Sequence, residues 1–467
     1  MKTTIMAVAF AVLAAAFPVK AADIGEDFGA GAFNSGGSGG IAPAVPAPAA
    51  AGGPAAAPGA GRAVPKKWTV MIFLNAKNNL ELAGLYNVNQ MEKVGSDSNV
   101  NILAELGRMK GQAGDTALDG DWTGARRLYI RKDNDEETIT SPVVDKVDKV
   151  DMGDYKRVVD FVNWAKKNYP ARRYMLILWD HGSGWLDPQQ KTNGSEKGIS
   201  FDDETNNYIR TRQIGAILKE AGNVDVLAFD ACLMQMGEVA FEVKDKTKVI
   251  IGSEETVPAQ GYPYNLFLGA LARNPDMTND QLGRTVVSSF KSFYDSLGKG
   301  AQLSAIRSEK LDEFGAKVKT FAAAANGLPD PEALKAARAG VMRYDMIGAG
   351  SDPNMTISFY GDMHQYAGLL SSSLKGTDGK SASVRSGAAD LQNFIDRQLV
   401  IVSGASGKNR LGRSLSESHG ISVYLPPAET RIAQERLEGI FEGKYSDFEF
   451  DKATGWHDYV TFLYGVK

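Results

Sequence analysis

Apolar runs alternate with helix-patterned segments along the middle of this 467-residue chain. The runs predict buried strands over 69–75, 101–105, 127–131, 174–179, 224–229 and 249–253, with a further candidate at 303–307. Apolar positions three and four residues apart predict helices over 79–94, 154–168, 211–221, 233–244 and 280–297. This alternation of strand and helix is typical of right-handed βαβ units, so we expect an α/β fold on a mostly parallel central sheet.

The C-terminal part of the chain continues with patterns of a different kind. Helices are predicted over 310–326, 331–343 and 388–402, and one more strand over 420–426. We recognise no catalytic motif in the sequence of this part. We therefore expect a subdomain at 309–467 that supports a catalytic core at 67–308 and belongs to the same unit.

The N-terminus is not expected to be part of the fold. Residues 1–22 combine a positive start, an apolar stretch and small residues at the end, which predicts a secretory signal peptide, with a membrane anchor as the alternative. Residues 23–66 are rich in Gly, Ala and Pro, and such a segment buries too little apolar surface to fold. It is predicted to be a linker or pro-segment. The protein is thus expected to be secreted, periplasmic or at the cell surface.

Composition narrows the classes of partner. The formal net charge of −4 is close to neutral for this length, so neither nucleic acid nor an anionic membrane surface is an expected partner. After the signal segment no apolar stretch is long enough to span a bilayer. No Cys/His cluster has zinc spacing, so no metal site is assigned. The acidic runs 202–204 and 254–255 could bind Ca²⁺, although a solvated charge run is the commoner explanation.

The single cysteine, Cys232, and one of the four histidines, His181, each directly follow a predicted strand. Because carboxyl ends of parallel strands meet at one edge of a sheet, a thiol and an imidazole are expected to lie together there. A predicted helix after Cys232 would favour the thiolate. His181 could take the thiol proton, and the N–H groups of Gly182 and Cys232 could bind an oxyanion. The alternative for Cys232 is a small buried apolar residue.

Asp230 has two interpretations that stay open from its position alone. It could cap the helix predicted after Cys232, or it could be an anion at the floor of a pocket for a cationic side chain. Glu254 or Glu255, after the next strand, could line the same pocket. Asp180 is expected to face away from His181 by strand alternation, so no third catalytic residue is assigned. The other histidines, His364, His419 and His457, are predicted to be structural or on the surface.

The segments that carry these residues resemble the clostripain family of cysteine peptidases. They read LWDHGSGW over 178–185 and LAFDACLM over 227–234, with support from WTVMIFLN at 68–75, IGSEET at 251–256 and GISVYLP at 420–426. The resemblance implies a caspase-like α/β/α sandwich, a His181/Cys232 dyad and cleavage after a basic residue, usually Arg, with Asp230 in the S1 pocket. Calcium is known for clostripain itself. The turn at 76–81, AKNNLE, departs from the acidic turn that family members often have.

Residues 186–200 form a polar segment between the two catalytic strands, and Lys191 and Lys197 are its candidate sites for self-cleavage. An ordinary surface insertion is the alternative. The sequence thus predicts an exported cysteine endopeptidase for protein or peptide substrates with Arg or Lys. It is expected as a monomer or as a self-cleaved two-chain form. The second hypothesis is a caspase-like binding or surface protein without activity.

Overall fold

The computed structural model describes residues 65–112, 114–187, 198–344, 358–427 and 443–466. The predicted signal peptide, nearly all of the predicted linker, and both Lys191 and Lys197 lie outside these residues. Within the described part, no helix combines the length and the apolar character that crossing a bilayer requires.

Fourteen strands are described. They are β1 Lys66–Ala76, β2 Val100–Arg108, β3 Gly124–Tyr129, β4 Val143–Val147, β5 Ala171–Trp179, β6 Ile199–Asp202, β7 Asn207–Ile209, β8 Val226–Asp230, β9 Val249–Gly252, β10 Ala301–Arg307, β11 Arg343–Tyr344, β12 Tyr360–Asp362, β13 Val400–Ser406 and β14 Ser422–Tyr424. The described α-helices are α1 Glu81–Glu92, α2 Tyr155–Asn168, α3 Thr211–Ala221, α4 Gly237–Val243, α5 Tyr264–Arg273, α6 Asn279–Leu297, α7 Leu311–Ala325, α8 Pro331–Gly340, α9 Met363–Ser373, α10 Gly379–Phe394, α11 Glu449–Thr454 and α12 Trp456–Gly465.

Nine strands form one sheet in the order β13-β10-β9-β8-β5-β1-β2-β3-β4. The five central strands, from β9 to β2, run parallel, and antiparallel pairs close both edges. Alternate residues of β1 enter two separate cores: Met71 and Phe73 on one face, Val70 and Ile72 on the other. Burial on both faces explains why the central strands read as continuous apolar runs.

Helices cover both faces of the sheet. The core on one face includes α2, α3, α4 and the helices of the C-terminal part, and the core on the other includes α1, α5 and α6. The predicted α/β/α sandwich on a mostly parallel sheet is therefore confirmed. The sheet takes its last strand, β13, from the C-terminal part, where it pairs antiparallel with β10.

Three predicted helices end or begin elsewhere than expected. The helix predicted over 388–402 ends at Phe394, a π-helical turn follows at Ile395–Leu399, and β13 begins at Val400, because β-branched residues there pair with the open edge of β10. The helix predicted over 331–343 ends at Gly340. The helix predicted over 233–244 begins only at Gly237, which bears on the site.

Candidate active site

His181 and Cys232 follow neighbouring parallel strands. In the register of β5 against β8, Trp179 pairs with Asp230, and the backbone N–H of Asp180 donates to the carbonyl of Asp230 at 3.2 Å. Each of the two candidate residues lies two positions beyond that pair. A Cβ added at Gly182 would lie 2.3 Å from the carbonyl oxygen of Cys232, so only glycine permits this contact. The two turns therefore pack backbone against backbone.

Cys232 lies in a turn and not at a helix N-terminus, because α4 begins five residues later. Leu233 adopts a left-handed conformation with φ of 64°. Its N–H donates to the carbonyl of Glu255 at 3.1 Å, and the N–H of Gln235 donates to that of Ser253 at 3.0 Å. The turn that bears Cys232 is thus anchored to the segment after β9, and the predicted helix-dipole effect on the thiol has no structural basis.

The thiol of Cys232 is held in its neutral form. The N–H of Val257 lies 3.3 Å from Sγ and donates to it, and Sγ lies 3.8 Å from the Val257 carbonyl. The side chain is partly exposed, yet burial of the sulfur raises the pKa of the thiol to about 11, partly opposed by the Val257 N–H and reinforced by the Glu255 carboxylate. This structure therefore contains a thiol that still has to be activated.

His181 has a partner that sequence reasoning missed. Its Nε2 lies 2.7 Å from Oδ1 of Asn79, in the turn that follows β1. Because an amide oxygen only accepts hydrogen bonds, Nε2 carries the proton and Nδ1 is the basic nitrogen. The available signal was the strand order: β1 is the neighbour of β5, so their carboxyl-end turns meet.

Hydrogen bonds from a buried side chain hold the turn after β1 in place. Asn78 donates to Oδ1 of Asp180 at 2.7 Å and to the carbonyl of Phe201 at 2.9 Å. Asp180 is buried, and its bond to Asn78 gives it a part in positioning this turn. The turn that departs from the family's acidic pattern is thus a scaffold for Asn79.

Lys77 in the same turn bears on the alternative that the acidic run 202–204 binds a hard cation. Its ammonium is fully buried and lies 2.8 Å from the carboxylate of Asp202, 2.5 Å from that of Glu204 and 2.6 Å from the carbonyl of Val150. A lysine therefore supplies the positive charge that these oxygens need. The residues at 202–204 do not fit a calcium site.

Asp230 is only 3% exposed, and hydrogen bonds reach one of its two carboxylate oxygens. Its Oδ2 accepts from the N–H of Tyr262 and the hydroxyl of Tyr264, each at 2.9 Å, while Oδ1 is buried without a hydrogen bond among the described residues. Burial raises the pKa of the carboxyl to about 7 despite these two donors. No helix begins nearby for Asp230 to cap, so the capping interpretation is wrong.

The candidate residues share one cavity of about 450 Å³. His181, Asp230, Cys232 and Glu255 all line it. The C-terminal part contributes the stretch 408–410 and Leu415, which the sequence did not connect with the site. Gly261, with φ of 63°, passes so close to Asp230 that an added Cβ would lie 2.7 Å from Oδ2.

Of the two glutamates considered for this pocket, only Glu255 reaches it. Glu254 is buried elsewhere and accepts from the N–H of Gly420 at 2.8 Å, from Gln302 Nε2 at 2.9 Å and from the Tyr344 hydroxyl at 3.1 Å. Burial, together with the neighbouring Asp362, raises the pKa of Glu254 well above its usual value. Glu254 therefore braces the C-terminal part against the segment after β9.

A caspase-like sheet with a histidine and a cysteine after adjacent parallel strands defines the class of clan CD-like cysteine peptidases. The chain matches the model of the clostripain family over residues 72–461. It belongs to that family of cysteine peptidases.

Individual relatives agree with this assignment. Clostripain of Hathewaya histolytica is 29% identical over 261 residues, which is 48% of this chain and 49% of the relative, so the chain spans about half the length of that relative. A secreted C11 cysteine protease from Bacteroides thetaiotaomicron, solved with an irreversible peptide inhibitor, has a TM-score of 0.59 at 20% identity, covering 84% of this chain and 99% of that one. An inactive zymogen C11 protease from Parabacteroides distasonis has a TM-score of 0.59 at 19% identity, with the same coverage. The solved structures support the fold.

Proposed function

We propose that this chain is an exported cysteine endopeptidase that cleaves after Arg or Lys with a His181/Cys232 dyad. The observation that carries the proposal is the shared cavity. It brings together an imidazole, the only thiol of the chain and a buried carboxylate with one oxygen left without a hydrogen bond. A peptide with a basic side chain is the substrate that uses all three.

The chemistry proceeds through an acyl-enzyme. Nδ1 of His181 takes the proton of Cys232, and the thiolate attacks the scissile carbonyl carbon. The N–H groups of Gly182 and Cys232 face the oxyanion of the tetrahedral intermediate. When the C–N bond breaks, the imidazolium returns the proton to the leaving amine. Water, deprotonated by the same nitrogen, then hydrolyses the thioester and restores the thiol.

Asp230 is proposed to select the basic side chain. A guanidinium or ammonium would supply the donor that Oδ1 lacks, and a buried carboxylate paired in this way gains both charge and hydrogen bonding. Glu255 places a second carboxylate among the residues that line the same cavity, which also include the basic Lys299, Lys408 and Arg410.

Self-processing between the two catalytic strands is proposed as the activating step. Burial raises the pKa of the Cys232 thiol, and the Val257 N–H donates to its sulfur, so a rearrangement that exposed the sulfur would favour the thiolate. A cut after Lys191 or Lys197 would release the connection between the His181 and Cys232 turns. The structural relative from Parabacteroides distasonis is itself described as an inactive zymogen.

The proposal is tested by profiling purified wild-type protein against peptides that differ only in the residue before the cut. We expect cleavage after Arg and Lys alone, together with covalent labelling of Cys232 by an Arg-directed acyloxymethyl ketone. If the protein neither cleaves nor reacts with the probe after trypsin has cut the 186–200 segment, the non-catalytic alternative is correct.

Self-processing has its own test. Wild-type protein should run as two fragments on a denaturing gel and as one particle in solution, whereas Cys232→Ala should stay full length. The double variant Lys191→Ala/Lys197→Ala is the matched control for the site of the cut. If it is cut like wild type, the proposed sites are wrong. N-terminal sequencing of the exported protein, with a start near residue 23, tests the signal peptide.

A further inference from the structure

Two histidines and an aspartate converge where the start of α9 meets the loop before β14, and none of the three lines the cavity of the proposed dyad. Asp362 caps α9 and accepts from the N–H of Gln365 at 2.7 Å, His364 lies in the first turn of that helix, and His419 precedes β14. One potential ligand atom from each of the three lies within 4.8 Å of the others. The helix start and the loop before β14 thus present three donors to one point.

The separation of two of these atoms matches metal coordination. Nδ1 of His419 lies 3.3 Å from Oδ1 of Asp362, and this nitrogen is buried without a hydrogen bond in the described part of the chain. Two ligands about 2.1 Å from one tetrahedral Zn²⁺ are about 3.4 Å apart. The His364 ring stacks on that of His419 with centroids 3.9 Å apart. Because Nε2 of His364 lies near Asp396, its Nδ1, 3.5 Å from Nε2 of Gln392, is the candidate donor to the same ion.

The surroundings hold these groups in place. Oδ2 of Asp362 accepts from the backbone N–H of His419 at 2.6 Å, and Oδ1, which also accepts from the N–H of Gln365, lies 3.3 Å from Nδ1 of His419. Asp396 lies 3.2 Å from Nε2 of His364 and orients that ring. Carboxylates that orient ligand histidines in this way are a regular feature of protein metal sites.

The histidines are also accessible. The side chain of His364 is 13% exposed and that of His419 is 32% exposed, so an ion can enter from solvent and retain a water ligand. Two imidazoles and one carboxylate suit late first-row divalent cations better than Ca²⁺ or Mg²⁺, which prefer oxygen ligands.

We propose that Asp362, His364 and His419 bind one late first-row divalent cation, such as Zn²⁺. The ion links α9 to the loop before β14. That loop in turn contacts the segment after β9 through the bond from Gly420 to Glu254. Metal binding therefore stabilises the packing of the C-terminal part against the sheet.

The test uses full-length Cys232→Ala protein, in which the proposed thiol cannot bind metal. Calorimetric titration with Zn²⁺, and Co²⁺ titration followed by its visible absorption, should each give one saturable site. In the same background, His364→Ala and His419→Ala should weaken binding at least about tenfold. His457→Ala, a histidine outside the cluster, is the matched control and should bind like its parent.

A second readout is thermal stability. Zn²⁺ should raise the midpoint of unfolding of the parent and of His457→Ala by more than that of His364→Ala. If His419→Ala does not fold, the test rests on His364→Ala. Absence of saturable binding by the parent, or equal binding by His364→Ala, would overturn the proposal.

Discussion

Asp202 and Asp230 are both buried aspartates near the carboxyl ends of the central strands, and their surroundings differ. Asp202 receives the Lys77 ammonium and the N–H of Met152 on one oxygen, and two further backbone N–H groups on the other. Asp230, which lines the cavity, has two donors on one oxygen and no hydrogen bond on the other among the described residues. A buried carboxylate with donors on both oxygens stabilises the fold. A buried carboxylate at a cavity with donors on only one oxygen can accept a hydrogen bond from a ligand.

The comparison predicts that residues facing the cavity affect rate and not stability. Cys232→Ala and His181→Ala should each lower kcat by about a thousandfold or more while the thermal midpoint hardly moves. Because the two residues act as a unit, the double variant should be barely slower than either single one. Peptidase assays and thermal unfolding check this, with His457→Ala as the control. Activity above about a tenth of wild type in either variant would disprove the dyad.

The two aspartates themselves offer the sharpest contrast. Asp230→Asn should lower kcat/KM for Arg and Lys peptides by about 100-fold or more, because the bound cation loses its partner at a cost of roughly 3–5 kcal/mol. Asp202→Asn should instead destabilise the protein by a similar free energy, since it removes a buried partner of Lys77.

Steady-state kinetics and chemical denaturation of both variants separate these effects. If Asp230→Asn cleaves basic peptides normally, or unfolds as easily as Asp202→Asn, the distinction between the two sites is wrong.

Asn79, which contacts His181, allows the same kind of contrast between rate and stability. Asn79→Ala should lower kcat by about tenfold or more, because His181 loses the acceptor that fixes its tautomer. In Asn79→Asp a carboxylate favours the protonated imidazole, so the acidic limb of the kcat/KM profile should move to higher pH. Asn89→Ala, which removes an amide from α1 that bonds to the carbonyl of Glu136, is the control. An unchanged pH profile in Asn79→Asp would reduce Asn79 to a structural role.

The smallest expected effect is the pH dependence of cation binding. Because the pKa of Asp230 is raised to about 7, its carboxylate forms as pH rises through that value, and a bound cation favours the ionised form. Benzamidine should therefore bind Cys232→Ala about tenfold more tightly at pH 8 than at pH 6, as the ionised fraction rises. Calorimetry at the two pH values measures this. Cys232→Ala/Asp230→Asn should show no such change, and a flat response in its parent would contradict the raised pKa.

Sequence patterns predicted the sheet and the juxtaposition of His181 and Cys232, because strands buried on both faces leave continuous apolar runs and polar residues at their ends stand out. They failed at the turn that bears Cys232, where a helix was predicted to begin at residue 233. Met234 and Met236 have helical spacing, yet both are buried in an extended turn that the left-handed Leu233 directs along the segment after β9. No local pattern reports that conformation.

Asn79 and the residues at 408–410 were missed for a different reason. Their positions depend on which strands become neighbours and on how a distant part of the chain folds back, and neither is encoded in local periodicity. The same holds for Lys77, whose pairing with Asp202 and Glu204 joins segments far apart in sequence.

The contribution of residues 408–410 and Leu415 to the cavity has a consequence for the order of events during synthesis. The turn that bears Cys232 emerges from the ribosome long before β13 and the residues that complete the cavity wall. Contacts of such large sequence separation form late in folding. A nascent chain therefore carries Cys232 for much of its elongation without a finished pocket, and the pocket is complete only when the last part of the chain has docked.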